Sequence, residues 1–243
     1  MTPATRIVEV AEFDFSFEPG RWRFAEAEAA AIAAHWARLR EKKPALYNGR
    51  ILLLERRELI RRADGELKLQ GSFFETGYAD YLAWRAFGHP GEPVENCFAM
   101  AALQGADGAF LLGEMASNTM NAGRIYFPSG TPDLSDVFDG AVNLEASARR
   151  ELLEETGVDA AEIEVRRGWS VVFSPNSIAC MKPMTLVAAA EEARTRIDAF
   201  LARDSHAELA RMHVVRSVGD IDESRTPAFV TAYLSAAFAR KSA

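Results

Sequence analysis

Arg150-Glu151-Leu152-Leu153-Glu154-Glu155-Thr156-Gly157-Val158 puts three glutamates within five positions and closes on a glycine. At about 100° per residue, Glu151 and Glu155 lie roughly 40° apart on a helix and Glu154 about 60° to the other side of Glu151, so three carboxylates crowd one edge. Like charges four residues apart repel by about a few tenths of a kcal/mol, and carboxylates near a helix C-terminus also oppose its macrodipole. A divalent cation among them reverses both effects. The stripe Leu144, Ala148 and Leu152, spaced four apart, predicts that the helix begins at Leu144 and buries one side, and Gly157 stands where a left-handed cap is wanted. Taken by composition alone, such a helix end is more often a solvated face than a metal site. The order of the residues argues the other way.

The string Arg-Glu-Leu-x-Glu-Glu-x-Gly-Val resembles the second half of the signature of the Nudix hydrolases, G-x5-E-x7-R-E-U-x-E-E-x-G-U with U apolar. Upstream, Phe127-Pro128-Ser129-Gly130 resembles the Phe-Pro-Gly-Gly turn of that motif, but Gly130 stands 20 residues before Arg150 where the pattern has 14, so six residues are inserted. Counting back from Arg150 places Val142 at the first motif glutamate, and Asp133, Asp136 and Asp139 of the inserted loop are all candidates to do its work. The resemblance implies Mg²⁺ or Mn²⁺ as cofactor, held by Glu151, Glu154, Glu155 and the backbone carbonyl of Ser129. It also implies that Arg150 positions a glutamate through a bidentate ion pair. The general base varies among such enzymes. Glu208 resembles the later glutamate of some members, although a lone carboxylate is more often simply solvated. Arg124, just before the turn, is a candidate phosphate contact or else a charged strand end.

With 243 residues and 49% apolar content, the chain can build one large domain or two unequal ones. A net charge of −7 and the lack of a basic tract argue against duplex nucleic acid as a partner. Cys97 and Cys180 show no C-x-x-C spacing, and His35, His89, His206 and His213 form no ligand pattern, so zinc is not expected. Met1 to Asp14 lacks the basic and apolar regions of a secretory signal. The alanine-rich stretch from Phe24 to Leu39 is interrupted by Glu26, Glu28, His35 and Arg38, so no membrane span is expected. These features describe a cytoplasmic, reduced protein, and a homodimer is compatible with them.

Loose alternation from Ile7 to Phe17 predicts an early strand ended at Pro19-Gly20, and Trp22 to about Lys43 an amphipathic helix packing on a sheet. Ile51 to Glu55 and Glu66 to Gln70 read as a hairpin, and residues 75–87 as a short aromatic-faced helix. His89-Pro90-Gly91-Glu92-Pro93 is the candidate boundary between an N-terminal α+β module (1–93) and a Nudix-type domain (94–243). There follow a hairpin over 97–103 and 109–116, strands near 162–173 and 180–190, a helix over 191–203, a strand over 209–216 and a closing helix over 227–241. The fold class is α/β (α+β), in this family an αβα sandwich on a mixed sheet. Tyr47-Asn48-Gly49-Arg50, Leu67-x-Leu69 and Thr76-Gly77-Tyr78-x-x-Tyr81 resemble the N-terminal modules of nucleotide-sugar Nudix hydrolases of the UDP-sugar type, which implies a substrate-binding module. Helix aromatics are more often core than ligand contacts, so Tyr78 and Tyr81 receive no such role.

The expected reaction is metal-dependent cleavage of the pyrophosphate bond in a nucleoside diphosphate linked to another moiety, a nucleotide sugar being favoured. Coenzyme A diphosphohydrolase activity is the enzymatic alternative. A catalytically weak nucleotide-binding or regulatory domain is the other, supported by Ser129 and by the missing first glutamate.

Overall fold

The computed structural model describes residues 5–241. The early alternating run is cut at Ala11 into β1 (Arg6–Val10) and β2 (Glu12–Phe17), because the two halves enter different sheets. The helix expected from Trp22 is also two, α1 (Arg23–Ala27) and α2 (Ala29–Lys42), broken at Glu28, where ψ is 16°. β3 (Arg50–Arg61) and β4 (Leu67–Gly77) form the expected hairpin and lead into α3 (Tyr78–Ala86). Two side chains fix the start of α3: Asp80 accepts the Gly77 N–H and Asn48 accepts the Ala79 N–H. α2 packs chiefly on α3, whereas its sequence suggests packing on a sheet. Its alanines stay exposed, and Ile32, Trp36 and Leu39 make a stripe wide enough for one neighbouring helix.

β5 (Asn96–Gln104) and β6 (Phe110–Met115) pair only beside their turn, at Gln104 and Phe110. Farther on they part, and the gap takes in β7 (Ile125–Tyr126) on β6 and β8 (Ser129–Gly130) on β5. The loop after Gly130 is ordered. Following a single 3₁₀ turn at Leu134–Asp136, the segment forms a hairpin of β9 (Val137–Phe138) and β10 (Ala141–Val142). Asp139 and Gly140 have φ of 49° and 78°, the two successive positive values that a type I′ turn needs.

α4 (Leu144–Thr156) begins where expected, with Asn143 accepting the N–H groups of Glu145 and Ala146, and ends at Gly157 with φ 69°. Leu144, Ala148 and Leu152 are buried together. The rest of the chain gives β11 (Ile163–Val165), β12 (Trp169–Ser174), β13 (Ser177–Leu186), α5 (Ala190–Leu201), β14 (Leu209–Val215) and α6 (Ala228–Lys241).

The fold is mixed α+β: among the described residues, six helices and two sheets, each with parallel and antiparallel pairs. One sheet runs β1-β12-β13-β5-β6-β14 and carries β11, β7 and β8 at its sides; the other runs β3-β4-β2-β10-β9. The sheets exchange strands across His89–Pro93. β1 is the edge partner of β12, and the β9–β10 hairpin extends the sheet of the first ninety residues by pairing Ala141 with Ser16. A continuous apolar cluster follows this exchange, from Phe15, Leu52 and Phe73 to Met100, Val171 and Leu234. A second cluster, including Trp22, Phe74 and Trp84, lies under α3. Cys97 and Cys180 are buried free thiols with Sγ atoms 3.7 Å apart. No helix among the described residues is long and apolar enough to cross a membrane.

Candidate active site

Burial of Leu144, Ala148 and Leu152 fixes the rotation of α4, which packs against β5 and β8. Gly130 lets the helix approach the turn, since a Cβ there would run into the Glu151 carboxylate. Ser129 contributes through its backbone, which hydrogen-bonds the Glu155 carboxyl. The other Glu155 oxygen, Oε2, is buried without a partner among the described residues. An unpaired carboxylate oxygen away from water costs roughly 1–3 kcal/mol or more.

Arg150 gathers the acids beside it. Its guanidinium lies 3.1 Å from Asp136, 2.9 Å from Glu151 and 3.3 Å from Glu154. These partners differ in surroundings: side-chain exposure is 2% for Asp136, 16% for Glu151 and 58% for Glu154. The Arg150–Asp136 pair is therefore an interior tie, while Glu154 is a largely solvated contact. Burial would lower the pKa of Arg150, but the Asp136 hydrogen bond and the neighbouring carboxylates outweigh it and hold the group charged.

Burial pushes the Glu151 carboxyl up to about 7; the charges of Glu154 and Glu208 add to this and Arg150 opposes it. Glu155 is raised well above the ordinary range, first by burial and then by Glu151 and Glu208. Glu208, exposed at the end of the loop before β14, thus faces the pair that α4 presents.

The structure selects among the three aspartates of the inserted loop. Asp133 caps the 3₁₀ turn by accepting from Ser135, and Asp139 is in the exposed hairpin turn. Asp136 alone pairs with Arg150, and its Oδ2 also accepts the Asp133 N–H. Counting forward from Gly130 puts Asp136 at the position of the first acid in the G-x5-E pattern. The six extra residues are Val137 to Val142, the β9–β10 hairpin. Val142, reached by counting back from Arg150, is a buried apolar residue in that hairpin.

A cleft of about 1170 Å³ opens beside this group and reaches α3. Phe98, Met100, Met115 and Tyr126 contribute apolar surface, while Ser129, Gly130 and Glu208 connect the cleft to the acids. Tyr78, Tyr81, Arg85 and Asn96 come from α3 and the start of β5, so residues that sequence reasoning left unassigned or overlooked line the same space. Arg124 also lines it and donates to the Ser224 carbonyl. Burial raises the Tyr78 phenol to about 12, so it is neutral at physiological pH.

Among the described residues, no three His, Cys, Asp or Glu side chains form a preassembled metal centre. The donors nonetheless fit a hard divalent cation: Glu155 has a buried, unpartnered oxygen, Glu151 is close enough to raise its pKa, and the Ser129 backbone lies beside both. Glu154 is drawn toward Arg150 and solvent.

No protein-family model matches the sequence, and no curated protein matches it. Among solved structures, the chain is similar to the MutT protein from Methanosarcina mazei Go1, at 19% identity over 61% of this chain and 96% of that one, with a TM-score of 0.40. It is similar to the M. smegmatis Nudix hydrolase RenU at 14% identity over 60% and 84%, with a TM-score of 0.38. A Nudix hydrolase from Nitrosomonas europaea gives 14% identity, 60% and 90% coverage and a TM-score of 0.40. The latter two are named as Nudix hydrolases, but likenesses this distant carry no weight for the chemistry, which rests on the site itself.

Proposed function

We propose that the protein is a Nudix-type pyrophosphohydrolase that uses a divalent metal to cleave a nucleoside diphosphate linked to another moiety, a nucleotide sugar being favoured. The observation that carries this reading is the buried, unpartnered Glu155 oxygen beside Glu151, with Arg150 and Asp136 bracing the same helix face. Bound Mg²⁺ or Mn²⁺ supplies charge neutralisation for the phosphates and acidifies water. Glu151 and Glu155, with the Ser129 carbonyl, are the assigned ligands, and Glu154 completes the set if it leaves Arg150.

Arg150 holds Glu151 in place and is itself fixed by Asp136. Glu208, whose charge acts on the carboxylate pair from a solvated loop, is the assigned acceptor of the proton from the attacking water. Arg124 donates to substrate phosphate from the cleft wall. Tyr78 and Tyr81 on α3 support a substrate-binding role for the N-terminal part, and the nucleotide-sugar preference rests on the sequence resemblance of that part. Exposure of Glu154 favours the second reading, a weakly catalytic nucleotide-binding domain.

The test is product analysis by mass spectrometry over UDP-sugars, ADP-ribose and coenzyme A with Mg²⁺. A nucleoside monophosphate and a phosphorylated remainder are expected, with Glu155→Gln losing most of the activity while its fold is kept. Undiminished activity in that variant refutes the site; metal-dependent binding without product favours the second reading.

A further inference from the structure

Arg85 sits in the last turn of α3, exposed on the wall of the cleft at its N-terminal side. Two guanidinium groups line this space, and the other, Arg124, already donates to the Ser224 carbonyl. Arg85 makes no ion pair among the described residues; its guanidinium carbon lies 5.5 Å from the centre of the Tyr81 ring. In a chain of net charge −7, where Arg50, Arg56, Arg57 and Arg62 all pair with carboxylates, this is a cation left open toward a cavity.

Its neighbours are donors as well. Asn96, at the start of β5, accepts the Thr131 hydroxyl on Oδ1 at 3.2 Å, and its amide, which also hydrogen-bonds the Tyr81 phenol, has a second N–H to offer the cleft. Burial raises the Tyr81 phenol, and the hydrogen bonds from Arg85 and Asn96 offset this only in part, so Tyr81 keeps its O–H. Guanidinium, amide and phenol thus form a donor set, while the carboxylates that line the same cleft, Glu208 and Glu223, come from other parts of the chain. Such a set matches an oxyanion, which an arginine fork can hold through two parallel hydrogen bonds. Thr131 directly follows Gly130, so the set is tied to the turn at the catalytic acids.

We propose that Arg85, with Asn96 and Tyr81, forms a specificity subsite for an anionic group, a phosphate or carboxylate, on the substrate moiety farthest from the scissile bond. This rests on reading the cleft as the substrate site and narrows the substrate to one whose linked moiety carries its own charge. A neutral moiety would offer the guanidinium hydroxyl groups alone, at roughly half the strength of a charge-assisted hydrogen bond.

Calorimetric titration of the metal-free full chain in EDTA, where turnover is suppressed, tests the subsite with two matched pairs. UDP-glucuronate against UDP-glucose isolates a carboxylate on the linked moiety, and ADP-ribose 1″-phosphate against ADP-ribose isolates a phosphate there. In at least one pair the charged member is expected to bind about tenfold tighter, and that pair identifies the oxyanion. Arg85→Ala is expected to abolish the preference, weakening the charged member far more than the neutral one and leaving Tm unchanged, and Arg85→Lys to keep part of it. Equal binding or no binding of both members in both pairs overturns the proposal, as does a preference that survives in Arg85→Ala. Failure of the hydrolase reading would appear separately, as absence of product from every nucleotide with Mg²⁺.

Discussion

Replacing Glu151 by Gln should make the metal-free protein more stable at neutral pH, although it removes an assigned ligand. The Glu151 carboxyl has an ordinary pKa of 4.5 and is raised by burial to about 7 in the folded protein. An acid raised on folding binds more protons in the native state than in the unfolded one. Its stabilising contribution is complete below pH 4.5 and is lost as pH rises to about 7. At about 1.4 kcal/mol per pH unit, that interval corresponds to roughly 3 kcal/mol. For a chain of this size, each kcal/mol moves Tm by about 2–4 °C, so the loss between pH 4.5 and neutrality is on the order of 6–12 °C. Glu155 adds a loss in the same direction that extends to higher pH. Differential scanning calorimetry in EDTA across this range should show the fall in the wild type and a shallower one in Glu151→Gln. Excess Mg²⁺ should restore wild-type Tm most at the alkaline end, where the carboxylates are ionised. A flat wild-type profile, or an equally steep one in Glu151→Gln, would refute the assignment of buried, mutually repelling acids.

Asp136→Ala removes the interior partner of Arg150 and should cost about 3 kcal/mol in urea denaturation, with kcat falling along with it; a loss under about 0.5 kcal/mol would mean that the pair is not an interior tie. Glu208→Gln should lower kcat while leaving Tm within about 1 °C, because the residue is exposed, and unchanged turnover across the pH profile would remove it as proton acceptor. Burial raises the Cys97 thiol well above its usual range, and both cysteines are enclosed, so a thiol reagent should modify neither in the native protein and both after denaturation. Rapid labelling under native conditions would contradict that packing.

The helix of the site was legible because its evidence is local: the Leu144, Ala148 and Leu152 stripe and the Gly157 stop all fall in or directly after the thirteen residues of α4. The partner of Arg150 was not, because a count from either end of an interrupted motif gives a different residue. The Asp139-Gly140 dipeptide between Phe138 and Ala141 is a strong hairpin signal and would have shown where the six additional residues lie. Arg85 and Asn96 were hidden for another reason. They line one cleft only because the tertiary fold brings α3 and the start of β5 to the same wall, a long-range arrangement that neither periodicity nor spacing encodes. The division of the first alternating run into β1 and β2 is likewise tertiary, since its alternating pattern suits either sheet.

The pairing of β1 with β12 imposes a timetable on biosynthesis. Val8 leaves the ribosome 171 − 8 = 163 residues ahead of its opposite residue, Val171. Until then β1 presents an open apolar edge, and the sheet that it borders cannot close by local contacts alone. The exposed interval is set by the translation rate, at roughly 5–20 residues per second many seconds long. A chaperone that shields β1 while β12 is still to be made should therefore raise the yield of soluble protein more than one acting after release.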